Sequence, residues 1–82
     1  MIEEKVKELL NKTIEKEGFT IDSIKYEKEG NNYFLRITLD RDKTIDIDSI
    51  VEITNIINPI LDNSNILDTS YILDISSKEK GN

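Results

Sequence analysis

Asp40, Asp42, Thr44, Asp46 and Asp48 stand at every second position, the alternation with which oxygen ligands line a calcium-binding loop. Two places in that loop are wrong. The sixth, where a sharp turn needs Gly, is Ile45, and the twelfth, where a bidentate Glu closes the site, is Val51. A charged turn ahead of a helix uses the same acids well, because the helix dipole favours negative charge at its N-terminus. Ser76 and Ser77 could be nucleophiles, but the chain has no His to serve as their base. Paired carboxylates do acid–base work only in a pocket that drives their pKa values apart, so the acids read as solvated surface. The expectation is a non-enzymatic chain with no catalytic residue, no metal and no cofactor.

What the acids share is sign. From Thr44 to Ser77 the chain carries Asp46, Asp48, Glu52, Asp62, Asp68 and Asp74 without one Lys or Arg. A field of one sign attracts cationic protein or metal and repels phosphate backbone. The net charge of −6 likewise opposes unaided nucleic-acid binding. No glycine-rich clamp or aromatic stacking set is present, so direct RNA contact is expected to be weak or absent.

Composition narrows the class further. Fifteen residues are Ile, and Ala, Gln, Trp, His and Cys are absent, a bias better explained by an AT-rich genome than by function. Without Cys there is neither a disulfide scaffold nor a Cys-based zinc site. No apolar run approaches the roughly 20 residues that cross a bilayer. Met1-Ile2-Glu3-Glu4 does not resemble a signal peptide. A soluble, cytoplasmic monomer is expected.

Eighty-two residues make one small domain at most. Ile2, Val6, Leu9, Leu10 and Ile14 form one apolar stripe over residues 2 to 17, with Glu3–Lys7 and Glu8–Lys12 spaced as i,i+4 pairs. Gly18 stands where a left-handed cap is wanted, and Phe19 can fold back on the last turn. Two strands follow. Ile24 and Tyr26 share a face of the first. Leu35, Ile37 and Leu39 share a face of the second, opposite Phe34, Arg36, Thr38 and Asp40. Glu29-Gly30-Asn31-Asn32 supplies the hairpin turn.

A second helix runs from about Asp48 to Leu61, capped by Asp46 or Asp48, with Ser49 and Glu52 spelling a capping box. Ile50, Ile53, Ile57, Ile60 and Leu61 point inward, and Val51 and Ile56 widen that face. Pro59 cannot donate to the Asn55 carbonyl, so the last turn should kink or tighten. Residues 62 to 68 read as loop, and Tyr71 to Ser77 as a third strand with Tyr71, Leu73 and Ile75 on one side. The order α-β-β-α-β predicts an α+β two-layer sandwich, both helices on one face of a three-stranded sheet. Residues 78–82 read as a loose tail after a domain spanning 1–77.

The run from Gly18 to Tyr26, the strand Leu35-Arg36-Ile37-Thr38-Leu39-Asp40, the helix from Ile45 to Asp62, and Tyr71-Ile72-Leu73-Asp74-Ile75-Ser76-Ser77 together resemble the N-terminal domain of the ribosome maturation factor RimP family. In that family the pattern continues with Pro-Gly and then Arg-Pro-Leu. Here Lys78-Glu79-Lys80-Gly81-Asn82 follows instead, and the expectation is that the family's SH3-like C-terminal domain is absent. Asp74 stands where the family usually has Glu. The resemblance implies an assembly factor that binds the immature small ribosomal subunit and helps it take up a basic ribosomal protein near the decoding centre. It carries Arg36, Asp40, Asp48, Asp62, Asp74, Ser76 and Ser77 as partner-binding residues. Each also has a structural use, such as Asp48 as a helix cap, Asp62 as a loop anchor, or Arg36 paired with Asp74 across the outer sheet face. The alternative is a small acidic interaction or dimerisation module unrelated to ribosomes, which would use Phe34, Ile72 and Tyr33 as an apolar patch on the open sheet face.

Overall fold

Val6, Leu10 and Ile14 recur every fourth or so position and are sealed from solvent on one side of α1 (Ile2–Lys16). The computed structural model, which describes residues 1–78, continues with β1 (Thr20–Glu29), β2 (Asn32–Asp40), α2 (Ile47–Ser64) and β3 (Ile72–Ser77). The helix stops as the sequence predicts. Gly18 takes φ +88°, its N–H donates to the Glu15 carbonyl, and Phe19 N–H donates back to Ile14, the paired bonds of a Schellman cap. That turn delivers Phe19 into the core.

The hairpin loop is two residues long, with Gly30 at φ +59° and no positive φ at Asn31. This is the pattern of a turn with glycine first, whose twist suits antiparallel strands. It fixes a register in which Tyr26 pairs with Leu35, Lys25 with Arg36 and Glu27 with Phe34. β2 then lies between β1, antiparallel, and β3, parallel. Leu35, Ile37 and Leu39 on its inner face are buried against Val6, Leu10 and Ile14 of α1 and Ile53, Ile57 and Leu61 of α2. Both helices therefore cover one sheet face, as alternation requires.

Asp46 caps α2, its carboxylate accepting from Ser49 N–H at 2.8 Å. Asp48 sits in the first turn instead. Hydrogen bonds from Ser49, side chain first and then backbone, hold the Asp46 carboxyl below its ordinary range. A depressed folded-state pKa means that this contribution to stability is present above the ordinary carboxylate range and fades as pH falls through the folded value.

Several details differ from the sequence reading, the smallest being that β3 begins at Ile72 rather than Tyr71. α2 runs past Leu61 to Ser64 and ends at Asn65, φ +58°. Asn55 and Pro59 face solvent, so water can satisfy the carbonyl that Pro59 leaves unpaired, and the Ser64 hydroxyl donates to the Leu61 carbonyl at 2.7 Å in the added last turn. Asp62 is thereby helical, not a loop residue. Val51 does not widen the apolar face; it is 51% exposed, beyond the arc that reaches the sheet. Tyr33 pairs with Lys28 and stacks on Tyr26 at 5.3 Å. It shares the helix-side face with Leu35, so it cannot join Phe34 and Ile72 on the open face. Alternation from Leu35 dictates this.

Lys78 N–H donates to the Leu39 carbonyl at 2.8 Å, and its ammonium lies 3.3 Å from Asp22. The rest of the expected tail, residues 79–82, lies outside the described residues.

Ile37 is fully buried, whereas Leu73 is only partly so. Truncating Ile37 to Ala should cost about 3 kcal/mol and truncating Leu73 distinctly less. Urea denaturation midpoints check this; the Ile37→Ala midpoint should fall well below both wild type and Leu73→Ala.

Candidate functional site

Most of the candidate residues fall on two surfaces separated by β3. Strand alternation puts Phe34, Arg36, Thr38 and Asp40 of β2 beside Ile72, Asp74 and Ser76 of β3 on the outer face, which no helix covers. Arg36 and Asp74 are register partners, Nε to carboxylate 3.5 Å. The same guanidinium bonds Glu27 at 2.9 Å and Glu29 at 2.7 and 3.1 Å, and lies over the Phe34 ring at 4.5 Å. One cation is thus shared by three carboxylates. The Arg36 hydrogen bonds and then its charge hold the Glu29 carboxyl below its ordinary range. The same contacts keep the guanidinium charged.

Glu27 and Glu29 were missed in the sequence, yet a signal existed. Once a two-residue turn fixes the hairpin register, Glu27 becomes the diagonal neighbour of Arg36.

The second surface is an open cleft of about 630 Å³ between α2 and the segment leading into β3. Asn58 and Asp62 line it from α2, and Asp68, Thr69, Tyr71 and Leu73 from the far side. Packing of Ile66, Leu67 and Tyr71 against the core positions that far wall. A 2.8 Å bond between the Tyr26 and Thr69 hydroxyls ties it to β1. The Tyr71 hydroxyl is closed to solvent and has no hydrogen-bond partner among the described residues. Burial, and secondarily the negative charge of Asp62, push its pKa above the ordinary tyrosine value. Two carboxylates, an amide and hydroxyls make a cleft suited to a cationic or hydrogen-bond-donating group.

Of the seven expected residues, the structure brings Arg36, Asp74 and Ser76 onto one face, with Asp40 at its end. Asp62 belongs to the cleft, and Asp48 stands apart in the first turn of α2. Ser77, the partner of Leu39, is exposed on the helix side of β3. The Asp40–Asp48 loop is organised by a resident cation, since the Arg41 guanidinium donates to the Thr44 carbonyl from Nε and Nη2 and lies 5.1 Å from the Phe19 ring centre. Asp40 accepts from Arg41 N–H at 2.9 Å. Among the described residues no three His, Cys, Asp or Glu side chains gather as metal ligands, and no helix is long and apolar enough to cross a membrane.

Residues 9–78 match the family model described as the RimP N-terminal domain. No curated protein matches the chain.

Two measurements check this geometry. Tyr71 should ionise above the ordinary tyrosine range in a phenolate absorbance titration. Tyr71→Phe should remove that late component, and Asp62→Asn should shift it to lower pH, because the neutral amide no longer opposes the phenolate. Stability carried by the neutral phenol is present below the unfolded pKa and is lost as pH rises towards the folded one. Calcium added at physiological ionic strength should leave the amide shifts of residues 40–48 unchanged, with Arg41 and the Asp46 cap already engaging the loop's oxygens.

Proposed function

Since the chain belongs to the RimP N-terminal domain family, a family of ribosome maturation factors, we propose that it is a non-enzymatic assembly domain for the small ribosomal subunit. It binds the immature particle and holds a basic ribosomal protein through its acidic half, with little direct grip on rRNA. One observation carries this reading: the stretch from Thr44 to Ser77 has six carboxylates and no base. Two of these, Asp62 and Asp68, line the same cleft. Such a surface steers a cationic partner and raises its association rate, while rRNA phosphates are repelled.

Asp62 is the leading contact in this proposal, with Asp48, Asp74, Ser76, Ser77 and Asp40 as further contacts. Arg36 acts on the outer face, where it offsets part of the charge of Glu27, Glu29 and Asp74. Asp74 is therefore a weaker attractor than Asp62. In a full-length relative, a second domain would add avidity through a higher effective concentration.

Charge reversal tests the proposal. Asp62→Lys should slow association with a purified basic protein of the small subunit by about tenfold at low salt, and raised salt should erase the difference. Asp74→Lys should have a smaller effect on rate. Stopped-flow association measures both, with rRNA fragments as competitors. Tighter binding to the rRNA, or an unchanged rate for Asp62→Lys at low salt, would overturn the reading.

A further inference from the structure

The two edges of the sheet are built differently. At the β1 edge, the register breaks between Ile21 and Ser23. Lys25 and Lys28 stand along this strand, and Glu3 of α1 accepts from Tyr26 N–H at 3.3 Å. A bulge, lysines and a covering side chain are the usual means of keeping other chains from pairing with an edge. Among the described residues, β3 has none of them. Its six residues contain no Lys, Arg, Pro or Gly, and its register with β2 is unbroken from Ile72 to Ser77.

Which backbone groups this leaves open follows from one bond. Lys78 N–H donates to the Leu39 carbonyl, so the even-numbered residues of this segment direct N–H and C=O towards β2. By alternation, Leu73, Ile75 and Ser77 direct theirs the other way. None of those outward groups has a hydrogen-bond partner among the described residues.

Acids flank this open edge on both sides. Asp74 lies on the outer face. Asp62 and Asp68 line the cleft on the helix side, which includes Leu73 itself. An added strand would send alternate side chains to these two sides.

We propose that the free edge of β3 accepts an extended, lysine- or arginine-bearing segment of a protein partner as a fourth strand, its alternate side chains meeting Asp74 on one face and the Asp62–Asp68 cleft on the other. This rests on the reading above that the partner is a basic protein, and adds how it docks. The main-chain ladder selects a polypeptide over RNA, because only a polypeptide offers alternating N–H and C=O groups at strand spacing. A second copy of this chain fits poorly. Antiparallel pairing of two β3 edges would bring like-charged Asp74 side chains close and join two chains of net charge −6.

The test uses the full chain and a terminally blocked peptide of about nine residues, long enough to span a strand of this length. Pairs of lysines alternate with pairs of valines in it, so that lysines project from both faces. Two further versions carry N-methyl groups on every second residue, one on the odd and one on the even positions, at unchanged charge. One N-methylated register should bind about tenfold or more weakly than the parent and the other nearly as well, because only one set of N–H groups faces β3. Amide exchange should show Leu73, Ile75 and Ser77 gaining protection on peptide binding, with Asp74 and Ser76 already protected beforehand. Ser77→Pro removes an outward donor without touching the β2 ladder, and should weaken the parent peptide several-fold.

Equal binding of all three peptides, or binding without new protection at the odd-numbered residues, would overturn strand addition while leaving the acidic-surface reading standing. Failure of both the peptide and the basic ribosomal protein to bind would overturn both. Protection of the odd-numbered amides that rises with protein concentration alone would replace the basic segment with a second copy. The same protection produced by an RNA oligonucleotide would also refute the proposal.

Discussion

The inner face of β2 is the constraint on which the rest of the molecule depends. Leu35, Ile37 and Leu39 are completely buried, and the strand that carries them is hydrogen-bonded on both sides. α1 meets this face with Val6, Leu10 and Ile14, and α2 meets it with Ile53, Ile57 and Leu61. A domain of this size has little stability to spare, so a one-residue slip of β2, which would turn all three side chains to solvent, is strongly disfavoured. The short turn at Gly30 and the cap at Gly18 serve this register by fixing where the chain enters and leaves β1.

Holding β2 in that register also fixes what its other face displays. Arg36 must point outward, because Leu35 and Ile37 point inward. It then stands between β1, which brings Glu27 and Glu29, and β3, which brings Asp74. These contacts are partly exposed, so their worth lies less in stability than in geometry and in setting the local charge. Arg36 and Lys25 against Glu27, Glu29 and Asp74 still leave the outer face acidic. The acids of α2 and of the segment before β3 make the other side of β3 acidic as well.

β3 is therefore both a structural and a chemical boundary. Its inward backbone groups complete the sheet, and its outward groups complete nothing within the described residues. The contrast with β1 gives this weight, since the same small domain closes one edge with a bulge, lysines and a helix-borne Glu. The crossover through α2 makes β3 parallel to β2 and leaves the far side of β3 facing outward, between its outer face and the cleft.

Much of this was legible in the sequence because it depends on local period. The helix stripe of Val6, Leu10 and Ile14, the alternation around Ile37, the glycines at 18 and 30, and the cap offered by Asp46 are each set by neighbours a few residues away. The run of acids without a base is legible in the same way, as is the succession of motifs that resembles the family. What the sequence left open depends on partners distant along the chain, the end of α2 excepted. That end is decided beyond Pro59, by the Ser64 hydroxyl bonded to the Leu61 carbonyl and by Asn65 in the left-handed conformation. The sharing of Arg36 among Glu27, Glu29 and Asp74 requires three strands in register. The cleft that joins Asp62 to Asp68 and encloses the Tyr71 hydroxyl exists only once the segment before β3 folds back against α2. Period and charge fix which residues face inward and what sign the surface carries; long-range pairing alone decides which of the outward-facing groups meet.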